Sequence, residues 1–173
     1  MRETWKYPII LLLGIGISNI GDWIYLIALN LIVLNNTGSP LAVAVLYILK
    51  PLATIFTNGW AGSIIDRLNK RHLMIFLDLF RALLIALIPL CSSLALTYFI
   101  VFLINIGSSI FRSTSMAYIT KLILPENRKR FNSLRSLVDS GGFILGPAIA
   151  GMLFVIGTPT LAIYFNALSF FIS

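Results

Sequence analysis

Long apolar runs separated by short polar connectors dominate the chain. A bilayer core of about 30 Å needs about 20 helical residues. Five runs reach that length, over 8–34, 41–65, 73–94, 96–119 and 132–156. A sixth, 160–173, has about 14 residues, or about 20 Å of helix, and is incomplete as a span. The pattern therefore predicts an all-α polytopic membrane protein. Two connectors are basic, 66–72 and 121–130. The other three are uncharged and rich in turn formers: Asn35-Asn36-Thr37-Gly38-Ser39-Pro40, Cys91-Ser92-Ser93 and Gly157-Thr158-Pro159.

Composition agrees with the pattern. The chain is 58% hydrophobic and 11% charged, more apolar than a soluble domain of this size needs. Its net charge of +7 would suggest an acidic partner such as nucleic acid in a soluble protein. Here the bases sit at the ends of spans, so no nucleic acid is expected. Arg2 and Lys6 precede the first span, Arg67, Lys70 and Arg71 follow the second, and Lys121, Arg128, Lys129 and Arg130 follow the fourth. The remaining connectors carry no base, which predicts a cytoplasmic N-terminus. The apolar stretch after Lys6 is too long for a cleaved signal, so it reads as a retained first helix. Cys91 is the only cysteine and His72 the only histidine, so neither a disulfide within the chain nor a metal site is expected. Motifs for metalloprotease, nucleotide-binding or serine-hydrolase chemistry are missing. No enzyme activity, catalytic residue or cofactor is predicted.

With Arg135 counted among the bases just beyond the fourth connector, six ionisable residues remain inside the spans: Asp22, Lys50, Asp78, Arg81, Arg112 and Asp139. A charge at mid-bilayer costs about 2.5–3.5 kcal/mol on insertion scales and usually faces a bundle interior or a wet cavity. Helical rise puts Asp22 about 20 Å from the inner end of its span and Lys50 about 15 Å from the outer end of the next. These two share a level, so an Asp22–Lys50 pair is possible. Arg81, Arg112 and Asp139 fall about 12–14 Å above the cytoplasmic face, and Asp78 lies somewhat lower, on the Arg81 face by i, i+3 spacing. The expectation is a cytoplasmic-side cluster of Asp78, Arg81, Arg112 and Asp139, with Asp22 and Lys50 above it. The cluster either gates the bundle or only holds helices together. Asp22, the deepest, is the leading candidate for coupling.

The fifth span contains Gly142, Gly146 and Ala150, four apart, as a strip of small residues that lets helices approach closely, with Pro147 within it and Gly151 beyond. The connector after the second span reads Gly62, three residues, Asp66-Arg67, two residues, Lys70-Arg71. This pattern resembles the loop between helices two and three of the major facilitator superfamily. Gly142, Gly146, Pro147 and Gly151 are similar to the fifth-helix antiporter motif of its drug exporters, with Ala150 in place of a common glycine. Gly21-Asp22, the Thr37-Gly38-Ser39 turn, Asp78 and Arg81 resemble the branch that includes macrolide and enterobactin exporters. In the fourth helix Arg112 is followed by Ser113-Thr114-Ser115-Met116, so the arginine is matched and the residues after it depart from the family pattern.

The resemblance covers essentially the whole chain, and only the family's N-terminal six-helix half, with the sixth helix truncated and the C-terminal half absent. It implies a secondary active transporter in the plasma membrane, the cytoplasmic membrane of a bacterium. It would export amphipathic small molecules such as drugs, macrolides or siderophores by alternating access, coupled to protons. Gly62, Asp66, Arg67, Lys70 and Arg71 would form a cytoplasmic gate. Asn19, Tyr25, Asn30, Tyr47 and Asn105 are the substrate-pocket candidates. Besides substrate, protons and lipid, the expected partner is the missing C-terminal half or a second copy. An uptake or lipid-flipping member of the superfamily, or a truncated protein without transport, are the alternatives.

Overall fold

The structure, a computed structural model, describes residues 5–91 and 93–172. Arg2 and Ser92 lie outside them. Seven α-helices follow in order: α1 (Lys6–Thr37), α2 (Pro40–Asn58), α3 (Ala61–Arg67), α4 (Lys70–Leu87), α5 (Leu94–Leu122), α6 (Arg128–Ile156) and α7 (Pro159–Ile172). Single 3-10 turns sit at Ile88–Leu90 and Pro125–Asn127. Five of the helices are long and apolar enough to cross a membrane, and the chain is a multi-pass all-α membrane protein.

Local chemistry sets the helix ends. Gly38 closes α1 in the left-handed region, φ 63°, and its N–H bonds back to Leu34 O, a conformation that favours glycine. Pro40 then opens α2, where its missing N–H leaves no bond unmade. The Asn69 side chain accepts from Arg71 N at 3.1 Å and caps α4. At the other basic connector, Arg128 donates to Thr120 O at 2.7 Å and Ile123 O at 3.3 Å, closing the carbonyl end of α5.

One expected span is corrected. The run 41–65 is not a single helix: α2 stops at Asn58, and α3 begins at Ala61. Asn58 and Gly59 are poor helix formers, and Trp60 N–H turns back to Thr57 O at 3.2 Å. Gly62, Asp66 and Arg67 therefore lie on a short helix, and Lys70 and Arg71 open α4, whereas the sequence suggests a connector over 66–72.

The seven helices form two intertwined groups, α1–α4 and α5–α7. The leading helix of each group packs on the later helices of the other: α1 on α6 and α7, α5 on α2 and α4. Helix α4 also packs on α7. This exchange is what two three-helix repeats would produce. Ile24, Ala28, Leu29, Ile85 and Ile163 sit at the centre of the main core cluster. Large apolar side chains also cover the outside: Leu13, Leu83 and Val155 are exposed, as suits a surface solvated by lipid. Close helix approach uses small residues. A Cβ at Gly142 would meet Asn19 at 3.1 Å, and one at Gly146 would overlap Trp23, so the strip on α6 seats α1. Ala150 is fully buried one turn further on.

Candidate functional site

Four of the apolar helices carry polar residues at spacings of three and four, which places them on one face of each helix. On α1 these are Ser18, Asn19 and Asp22. On α2 they are Lys50, Thr54 and Asn58. On α5 they are Asn105, Ser108, Ser109 and Arg112, and on α6 Arg135 and Asp139. All of these faces converge on one cavity of about 560 Å³. Trp23 and Phe111 supply apolar wall, and Arg81 enters from α4.

Arg81 organises the cavity floor. Its side chain is 3% exposed, and its Nη2 lies 2.9 Å from both carboxylate oxygens of Asp22. Nη1 lies 3.6 Å from Asp78 Oδ1. The guanidinium also lies 4.3 Å from the Phe170 ring centre and 5.8 Å from that of Phe111, within cation–π range of both. Gly107 on α5 makes room for the stem, since a Cβ there would meet Arg81 Cγ at 3.1 Å. One side chain thus ties α4 to α1, α5 and α7. Asp22 differs from its partner: 44% of its side chain remains accessible, on the cavity side.

This geometry corrects the expected pairing. Asp22 is held by Arg81, and no ion pair joins it to Lys50 among the described residues. Lys50 lines the same cavity from α2. The expected four-member cluster is also divided. Arg112 and Asp139 share the cavity with Arg81, and Asp139 accepts from Asn19 Nδ2 at 3.1 Å. Asp78 lies behind Arg81, outside the cavity. It lines a second hollow of about 600 Å³ with Tyr7, Arg71, Tyr118 and Phe170. Ile15 and Phe111 wall both hollows.

The pocket candidates separate in the same way. Asn19 and Asn105 line the cavity. Asn30 donates to Tyr47 Oη at 2.7 Å, and this pair joins α1 to α2 away from the cavity. Tyr25 is buried in the core. At the cytoplasmic-gate candidates, Lys70 Nζ donates to Ile65 O at 3.1 Å, tying α4 to α3. Asp66 is exposed and has no ion pair among the described residues. Of the α6 strip, Gly142 and Gly146 face α1, while a Cβ at Gly151 would meet nothing within 4 Å. The sequence reading counted Arg135 with the basic connector rather than the cavity, and missed the hydroxyl-bearing wall of Ser18, Thr54, Ser108 and Ser109. The available signal was the recurrence from Asn105 at three, four and seven residues along an otherwise apolar helix.

The sequence model of the Major Facilitator Superfamily matches residues 11–173. An uncharacterized MFS-type transporter, YfiS of Bacillus subtilis (strain 168), is 27% identical over 158 residues, 91% of this chain and 38% of the relative. The multidrug resistance protein MdtH of Salmonella typhimurium is 32% identical over 94 residues, 54% of this chain and 23% of the relative. The chain thus spans well under half the length of these relatives. No solved structure matches it.

Proposed function

This chain belongs to the Major Facilitator Superfamily, and on that premise we propose that it forms the substrate- and proton-handling half of a secondary transporter that exports amphipathic small molecules. The observation that carries the reading is the buried Arg81 held by a carboxylate, Asp22, that is itself open to a polar cavity. The cavity reaches this carboxylate, so Asp22 is the residue to which proton coupling is assigned. A neutral Asp22 holds the guanidinium less strongly than a carboxylate does. Arg81 then shifts its weight to Asp78, 3.6 Å away. The two protonation states of one residue favour two arrangements of α1 against α4, α5 and α7. That is a bistable element, which alternating access requires.

Export rather than uptake is supported by the small-residue strip on α6 and by the printed name of the Salmonella relative. The cytoplasmic gate would use Asp66, Arg67 and Arg71. Asp66 is exposed in the last turn of α3 and has no ion pair among the described residues, so it could meet a neighbouring element in another state. The complete cavity would need a second six-helix half or a second copy. The protein would sit in the cytoplasmic membrane with its N-terminus inside.

The test is transport by cells expressing the complete gene that encodes this chain, with cell accumulation of lipophilic compounds of both charge signs as the readout. At least one compound should accumulate less, and an uncoupler should restore it. Asp22→Asn should insert normally and lose the uncoupler-sensitive part. Unchanged export by Asp22→Asn would remove Asp22 from the mechanism.

A further inference from the structure

Charge within the cavity is not balanced. Lys50, Arg81, Arg112 and Arg135 face Asp22 and Asp139, an excess of two positive charges. One positive charge remains in excess even if Asp78, behind Arg81, is counted. The acids are also engaged: Asp22 holds Arg81, and Asp139 accepts from Asn19. Lys50, Arg112 and Arg135, from three different helices, have no ion pair among the described residues. Assigning Asp139 to either arginine still leaves the other arginine and Lys50 without a counter-charge.

The neutral polar wall does not offset this. Thr54 Oγ1 donates to Lys50 O at 3.0 Å, Ser108 Oγ to Ile104 O at 2.9 Å, and Asn105 Nδ2 to Val101 O at 2.9 Å. These donors are turned to the backbone. Ser18, Asn58 and Ser113 add neutral donors; the charged donors without an ion pair among the described residues are Lys50, Arg112 and Arg135, whose N–H groups cannot accept a hydrogen bond. A cleft with a net excess of one sign of charge within low-dielectric walls attracts ions of the opposite sign.

We infer that the cavity selects an amphipathic organic anion, a carboxylate, sulfonate or phosphate on an aromatic or apolar body. Its acidic group sits between Lys50, Arg112 and Arg135, and its body lies against Trp23 and Phe111. This rests on the transport reading and narrows it to one charge class of substrate.

The test uses the product of the complete gene, purified in an uncharged detergent. Equilibrium dialysis compares two probes of one size and opposite charge, naphthalene-2-sulfonate and 2-naphthyltrimethylammonium. The sulfonate should bind on the order of tenfold more tightly, the scale of one charge-assisted hydrogen bond. Arg112→Gln and Lys50→Gln should each lower sulfonate affinity by about three- to tenfold and leave ammonium binding unchanged or improved. Arg112→Lys, which keeps the charge, should retain the preference. Should Arg112→Gln no longer elute as the parental species, Arg135→Gln takes its place. Equal binding of the probes, tighter binding of the ammonium, or sulfonate binding indifferent to these variants would overturn the inference. Export of a cationic compound that depends on Asp22, with no sulfonate preference, would sink this inference and leave the transport reading standing. Sulfonate preference without export of any compound would do the reverse.

Discussion

Without the Arg81 guanidinium, Asp22 would lose both of its 2.9 Å contacts, and Asp78, buried beside it, would lose its 3.6 Å counter-charge. Removing one partner of a buried ion pair costs about 3–5 kcal/mol. The cost here should be nearer 3 kcal/mol, since Asp22 is half open to the cavity and can rehydrate. Arg81→Met should therefore lower the thermal midpoint in detergent, and adding Asp78→Asn should recover part of the loss. An unchanged midpoint would mean that the pair adds little to stability. Run lengths put six charges inside spans, of which the structure buries Asp78 and Arg81, and helical spacing put those two on a common face. It misassigned the partner of Asp22 because helical rise locates backbones, whereas an arginine side chain reaches several ångströms beyond its own level. Lys50, level with Asp22 by that count, belongs to a helix that packs chiefly on α5.

Among the elements, the contact of α1 with α6 depends on the absence of side chains at particular points. Gly146→Leu should force α1 away from Trp23's seat and destabilise the bundle by about 1–3 kcal/mol, the usual range for overpacking. Gly151→Leu should be nearly silent, since a Cβ there meets nothing within 4 Å. Equal midpoints for the two variants would argue against close packing at Gly146. At the α3–α4 turn, Asp66→Asn should leave insertion intact, as judged by yield in the membrane fraction, and cut export strongly. Full export by that variant would remove the turn from the gate. The long helices were legible from apolar run lengths, because lipid demands them. The break between α2 and α3 was not, because hydropathy does not register a helix interruption inside an apolar run. Asn58-Gly59 was the local signal for it, a pair that favours a turn.

For the whole molecule, the order of the polar and apolar faces matters more than any one contact. Lipid covers the outside, and four polar stripes turn inward to a single cavity that α4 enters only through Arg81. Each stripe was present in the sequence as a three-and-four recurrence. Their convergence was not, because it depends on the exchange of helices between the two groups. The central claim is that this shared face is a wet route for substrate. It can be tested by thiol accessibility in the complete gene product, in membrane vesicles with Cys91→Ser as background. Ser108→Cys on the cavity wall should react with a membrane-impermeant maleimide, and naphthalene-2-sulfonate should slow the reaction. Ile55→Cys, on the apolar outer face of α2 and 71% exposed, should stay unlabelled. Labelling of neither position, or equal labelling of both without protection, would contradict the account.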